Sequence, residues 1–227
     1  MKNYYSVLKY STLFWGIDEK DFTALMKCLG GTKREFKKDE VIFQRGDVIH
    51  HVGVVLQGSV CIVQDDFWGN RSILGNVEVG GLFGEVYACL PQEIMANMVL
   101  AKEKSEILFL DMRRITTTCT SACHFHSRLI HNLLKAIAEK NLSLTQKIRH
   151  TSKRTTRDKI LSYLSAQSEK AKSSFFQIPF NRQQLADYLA VDRSAMSSAL
   201  GKLKEEGMIE FHKNHFILKQ SVRDKME

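Results

Sequence analysis

Residues 181–204 read NRQQLADYLAVDRSAMSSALGKLK, two helical periods joined by a short break. Asn181, with Gln184 three residues on, makes a helix start of the capping-box kind, in which each side chain satisfies a backbone N–H of the other residue. Leu185, Ala186 and Leu189 then recur on one helical face. Ala190-Val191-Asp192 interrupts the pattern, and Asp192 is suited to cap a second helix. In that helix Ala195, Met196, Ala199, Leu200 and Leu203 point to one side, while Arg193, Ser194, Ser197, Ser198 and Lys202 point to the other. A face of short hydroxyl side chains with a basic residue at each end suits a DNA major groove, because the helix can approach closely and hydroxyls bond base edges or phosphates. Arg193 lies in the first turn, where a recognition helix reaches base edges. An ordinary two-helix hairpin with a solvated polar face shows the same periodicity.

The residues that follow narrow that choice. Met208-Ile209-Glu210-Phe211 and His215-Phe216-Ile217-Leu218 are short apolar or alternating runs on either side of Lys213-Asn214, a hairpin pattern. A helix-turn-helix followed at once by such a hairpin is a winged helix, a more specific signal than either part alone.

The charge distribution agrees. The 227 residues carry a net +8, and from Arg149 onward there are 15 Lys and Arg against 9 Asp and Glu. That segment is therefore +6 and the rest only +2, so positive charge gathers where phosphates would be met. A hydrophobic content of 44% with 26% charged residues is that of an ordinary globular protein. No apolar run approaches the roughly 20 residues needed to span a bilayer, and the start MKNYYSVLKYSTLFWG has no signal-peptide pattern. Five cysteines fit free thiols in a reducing compartment better than a disulfide framework. A cytoplasmic protein with no membrane partner is the expectation.

Residues 1 to about 30 read as helical, with Phe14, Ile17, Phe22, Leu25, Met26 and Leu29 available to pack. From Lys33 to Asp111 the texture changes to short strands separated by turn residues, which implies an antiparallel β-roll. A long helix follows from about Ser127 to His150. In it Ile130, Leu134, Ile137, Asn141, Leu144 and Ile148 recur at alternating spacings of four and three, the seam of a helix packed along a partner helix. Asn141 either fixes the register of a parallel pair or turns to solvent. The seam is also short enough to pack on the protein's own β domain. TSKRTTR at residues 151–157 reads as a linker. The expected division is a β-roll over residues 1–118, a dimerisation helix over 119–150 and a winged helix over 151–227, an α+β chain.

This order of parts resembles the Crp/Fnr superfamily of bacterial transcription regulators. The resemblance spans about residues 12–220 and is carried by KKDEVIFQRGD (37–47), VLQGSVCIV (55–63), GGLFGE (80–85) and NRQQLADYLAVDRSAMSSALGKLKEEGMI (181–209). It implies a homodimer on a palindromic double-stranded operator, contact with RNA polymerase if the protein activates, and a small-molecule effector in the β-roll. The implied effector positions are Leu82, Phe83, Gly84, Glu85, Val86, Met95 and Ala96, with Leu144 and Thr145 from the long helix. Arg193, Ser194, Ser197 and Ser198 would read bases, while Arg182, Lys202 and Lys213 would mainly neutralise phosphates.

Two departures from the family pattern matter. Cyclic-nucleotide binders of this type are similar in a Gly-Glu pair for the ribose and a later Arg-Ser pair for the phosphate. Gly84-Glu85 matches the first, but Met95-Ala96 stands in place of the second. A phosphate buried there without a charged partner costs several kcal/mol, roughly, so an effector other than cyclic AMP is expected and no resident cofactor is. Ser194 and Ser198 likewise replace a Glu and a second Arg common in the recognition helix, which implies a different operator.

Rival readings remain. Cys119, Cys123, His124 and His126 offer soft ligands for a transition metal or a redox switch, although their spacing matches no common zinc module. A β-roll that binds a ligand without touching DNA is another. Neither a G-x-S-x-G elbow nor an H-E-x-x-H helix is present, so no catalytic residue is expected.

Overall fold

Five of the seven residues of HVGVVLQ (51–57) are buried, and this run organises the amino-terminal part of the protein. The computed structural model describes residues 4–68, 71–117 and 124–219, the side chain of His124 excepted. A continuous apolar run between polar ends suits a strand covered on both faces. As β3 (His51–Gln57) it lies between β8 (Ser105–Asp111) and β6 (Leu82–Phe83), with β1 (Thr32–Phe36) outside β8. The second sheet has the order β2 (Val41–Phe43), β7 (Met98–Ala101), β4 (Val60–Asp65) and β5 (Arg71–Val77). All these pairings are antiparallel.

Alternation along the strands divides their side chains between two cores. Val55, Ile107 and Phe109 enter one shared by both sheets, with Phe36, Phe43, Phe83, Met95 and Val99. Val52, Val54, Leu56, Leu108 and Leu110 enter the other, with Phe14, Ile17, Phe22, Leu25, Met26 and Leu29. That second core gathers α1 (Tyr5–Leu8), α2 (Glu19–Cys28), α4 (Met112–Thr116) and the start of α5 (His124–Thr151). Gly53 is required by close approach: an added Cβ would lie 2.2 Å from Cζ of Phe83. The short helix α3 (Glu85–Cys89) follows Gly84, whose φ of +77° favours glycine.

The carboxy-terminal part begins with α6 (Thr156–Ala171), capped by the Thr155 hydroxyl, which accepts from the Asp158 backbone N–H at 3.1 Å. The expected linker is thus shorter than its sequence, since α5 runs through Thr151. Helix ends with no core beneath them carry the same polar residues as loops do. Next come β9 (Phe175–Gln177), α7 (Arg182–Leu189), α8 (Arg193–Glu205), β10 (Ile209–His212) and β11 (His215–Leu218), with sheet order β10-β11-β9. Their core is built from Ile160, Leu164, Leu185, Leu189, Met196, Leu200, Leu203, Ile209 and Phe216. The chain divides into two compact units, residues 1–139 and 140–227. Cys28, Cys61 and Cys89 are free thiols.

Candidate nucleic-acid interface and sensor site

The start of α7 is the capping box that the sequence predicts. The Asn181 side chain accepts from the Gln184 N–H and the Gln184 side chain accepts from the Asn181 N–H, both at 2.9 Å. Ala190, at φ +50°, ends α7, and the Lys159 ammonium donates to the carbonyls of Leu189 and Ala190 at 3.3 and 3.2 Å. A cation at these last carbonyls complements the negative end of the helix. Asp192 then caps α8, accepting from the N–H groups of Ser194 (2.8 Å) and Ala195 (3.0 Å). The Ser194 hydroxyl donates to the same carboxylate at 2.5 Å. These bonds, the Ser194 hydroxyl first, hold the Asp192 carboxyl below the usual carboxylate range.

Arg193, Ser194, Ser197, Ser198 and Lys202 are all exposed on α8, while Met196, Leu200 and Leu203 are buried and Ala199 is half-buried. Ala195, expected on the apolar side, is exposed instead: the first turn of α8 is exposed as far as Ala195, and Met196 is its first buried residue. Because the Ser194 hydroxyl hydrogen is held by Asp192, that oxygen meets a partner as an acceptor. Gly201, which the helical pattern does not single out, lies three residues beyond Ser198, and an added Cβ there would meet nothing within 4 Å. Its signal was a glycine inside a helix, which costs about 1 kcal/mol relative to alanine.

Lys213 sits exposed at the tip of the β10–β11 hairpin with φ +53°. Arg182 differs from the other basic candidates. Its guanidinium lies 4.6 Å from the ring centre of Phe211 and 5.4 Å from that of Phe216, and burial lowers its pKa. This packing ties the first turn of α7 to the wing.

In the amino-terminal unit the residues around Gly84 do not share one cavity face. Phe83 and Met95 are buried in the core common to both sheets, whereas Leu82 enters the helix-side core. Neighbouring strand residues face opposite ways, which removes Leu82 from the group expected to line the roll interior. Val86 and Ala96 are exposed and Glu85 is buried in the first turn of α3. The Phe43 ring stands edge-on to Phe83 and Phe109, with centroids 5.7 and 5.8 Å apart, so aromatic side chains fill the interior. Leu144 and Thr145 are exposed and belong to the other unit.

Along α5, Leu129, Leu133 and Ala136 pack on the helix-side core, and the Asn132 amide donates to the carbonyls of Leu13 and Trp15 at 3.0 and 2.9 Å. The seam lies on another stripe. Leu134, Leu144 and Ile148 are 62%, 61% and 64% exposed, and Asn141 is exposed and accepts from the Thr145 hydroxyl at 3.5 Å. Ile130 and Ile137 are half-buried, Ile137 against the protein's own core.

Cys119 and Cys123 lie outside the described residues, as does the side chain of His124. His126 is buried, with Nε2 donating to the Arg114 carbonyl at 2.7 Å. Among the described residues no three His, Cys, Asp or Glu are grouped to hold a metal.

At the carboxy-terminal end of α5, His150 is buried with Nδ1 2.9 Å from the Ser162 hydroxyl and its ring edge-on to Tyr163. Burial, then Arg149 and Lys153, lower its pKa below the ordinary value of about 6.5. Above that value the imidazole is neutral whether the chain is folded or not. As pH falls toward the lower folded-state value, the unfolded chain takes up the proton first, so stability is lost. Thermal unfolding at pH 7.5 and 5.5 is expected to show this loss, and His150→Gln to lessen it. An identical pH dependence in the variant contradicts the assignment.

Residues 33–121 match the family model of the cyclic nucleotide-binding domain, and residues 158–221 match that of the Crp-like helix-turn-helix domain. No curated protein matches the chain. Among solved structures, CprK in complex with OCPA is similar with a TM-score of 0.63 at 16% identity, covering 88% of this chain and 92% of that one. The c-di-GMP responsive global regulator CLP of Xanthomonas campestris is similar at 0.54 and 18% identity, covering 88% and 100%. A putative cAMP-binding regulatory protein of Silicibacter pomeroyi DSS-3 aligns over 100% of both chains at 0.50 and 16% identity. At these identities the likeness is one of fold.

Proposed function

Because the chain belongs to the Crp/Fnr superfamily of transcription regulators, we propose that it is a homodimeric, sequence-specific DNA-binding regulator acting in the cytoplasm, with a β-roll that senses a small molecule other than cyclic AMP. The observation that carries this reading is the exposed face of α8, where Arg193, Ser194, Ser197 and Ser198 stand on a helix anchored from behind by Met196, Leu200 and Leu203. Arg193 would hydrogen-bond a base edge in the major groove and the serines would take shorter contacts. Gly201 extends the same face without a side chain and would let the helix backbone come close to the groove. Lys202 and Lys213 would neutralise phosphates, one from the end of α8 and one from the wing tip. Arg182 would mainly hold the wing in place.

Dimerisation would use the exposed α5 stripe, which the chain's own cores leave uncovered from Leu134 onward except at Ile137. Two copies would then present two α8 helices to half-sites one helical turn apart. On the sensor side, Met95 is buried among aromatic and aliphatic side chains. A buried phosphate beside Met95-Ala96 would lack the charged partner it needs, which supports an effector more apolar than a cyclic nucleotide. If the protein activates, RNA polymerase would be a further partner. No helix among the described residues is long and apolar enough to cross a membrane. The family's members act by binding DNA and are not enzymes.

Selection of bound sequences from a random DNA pool tests the proposal. A two-fold symmetric motif is expected, with half-site centres about 10–10.5 base pairs apart or a multiple of that. Failure of any sequence to enrich would sink the DNA-reading function; enrichment of an asymmetric single site would sink the dimer.

A further inference from the structure

We propose that the cleft between the carboxy-terminal end of α5, α6 and α7 is a second small-molecule site, separate from the β-roll, that takes a planar aromatic carboxylate. All of it lies within the carboxy-terminal unit. Its volume is about 690 Å³, in the range of small-molecule sites. Phe180 and Tyr188 lie 5.1 Å apart, and both pack against Tyr163 at 6.1 and 5.4 Å between ring centres. Tyr163, Phe180 and Tyr188 all line the cleft, and a planar ligand gains by packing against such an aromatic wall.

The polar groups define the sign of the ligand. Among the described residues Lys170 is the one charged residue lining the cleft, and Gln167, Gln177 and Ser143 line it too. Among the described residues no carboxylate lines it. Lys147 places a second ammonium 5.8 Å from the ring centre of Tyr188. An anion in the cleft therefore meets the Lys170 ammonium and polar side chains but no like charge, with the Lys147 ammonium near its Tyr188 wall.

Tyr163 supplies the independent observation. Tyr163 lines the cleft, yet its hydroxyl is buried with no hydrogen-bond partner among the described residues. A buried hydroxyl without a partner destabilises the protein that carries it, and phenylalanine would fill the same space without that cost. Burial also raises the pKa of the phenol, so it stays protonated and remains a donor. A carboxylate oxygen is the acceptor that such a donor lacks.

The position gives binding a consequence. Ser143 is on α5 and Tyr188 is on α7, the first helix of the DNA-reading pair. A ligand touching both would favour the arrangement of these helices that it fits best.

Calorimetric titration of the full chain with 2-naphthoate, and with 2-naphthamide as the neutral analogue, tests the site. Binding of 2-naphthoate at about millimolar or tighter is expected, with the amide weaker by about tenfold. Lys170→Gln should erase that preference. Tyr163→Phe should raise the Tm without ligand and weaken 2-naphthoate by about tenfold, an opposition of signs that a purely structural tyrosine would not produce. Absence of binding at about 5 mM, well above the expected range, overturns the proposal. Binding left unchanged by both substitutions overturns it too, since the probe would then sit elsewhere. The titration contains no DNA, so its failure is distinct from failure of the DNA-reading function.

Discussion

With Leu134 and Leu144 both changed to glutamate, the protein is expected to sediment as a monomer at micromolar concentration and to lose about a thousandfold or more in operator affinity. Both side chains are more than half exposed in the single chain, so the substitutions leave its own cores intact and the fold should persist. In a dimer the same positions would face each other across a seam, where each glutamate would be desolvated beside apolar side chains and its own twin. A monomer keeps one recognition helix and half the phosphate contacts. Specific operators are typically bound at about 10⁻⁸–10⁻¹¹ M, and dividing that binding free energy between two half-sites leaves a monomer at about 10⁻⁴–10⁻⁵ M, which accounts for the size of the loss. A wild-type protein that is already monomeric, or a double variant that stays dimeric, overturns the seam. Circular dichroism of the variant separates loss of dimerisation from unfolding.

Arg193→Ala is expected to cost about 1–3 kcal/mol per half-site, hence about thirtyfold to twenty-thousandfold for a symmetric dimer. The loss should be accompanied by relaxed specificity at one base pair in each half-site. Arg193 begins α8, is exposed and follows the cap Asp192, so removing its side chain leaves the helix start in place. Lys202→Ala provides the contrast. It should weaken all sequences alike and reduce the salt slope by about 1 per copy, because a phosphate contact carries no base information. Competition binding against single-base operator variants at two salt concentrations distinguishes the two patterns. If Arg193→Ala weakens every sequence equally, the residue is a phosphate contact and the base-reading assignment is wrong.

Much of the carboxy-terminal unit was legible because its signals are local. The capping box needs only Asn181 and Gln184, the second cap only Asp192, and the wing a pair of short runs around Lys213-Asn214. β9 was not legible: Phe175-Phe176-Gln177 is too short to show a period, and it becomes a strand only because β11 pairs with it. α3 escaped for a similar reason, being five residues entered through a left-handed glycine. The motif GGLFGE places Leu82 beside Phe83 along the chain, whereas the strand sends these neighbours to opposite cores.

By itself the sequence determined the order of the main elements, the starts of α7 and α8 and, Ala195 apart, the two faces of α8, since caps and periodicity act over three or four residues. Only the tertiary structure decided that Arg182 packs on the wing, that the seam from Leu134 onward, Ile137 apart, is uncovered by the chain's own cores, and that the Tyr163 hydroxyl is buried without a hydrogen-bond partner among the described residues. These facts depend on which distant residues arrive at one place. Ser143, Tyr163, Phe180 and Tyr188 share a cleft because three helices converge there, and no spacing along the chain encodes that meeting.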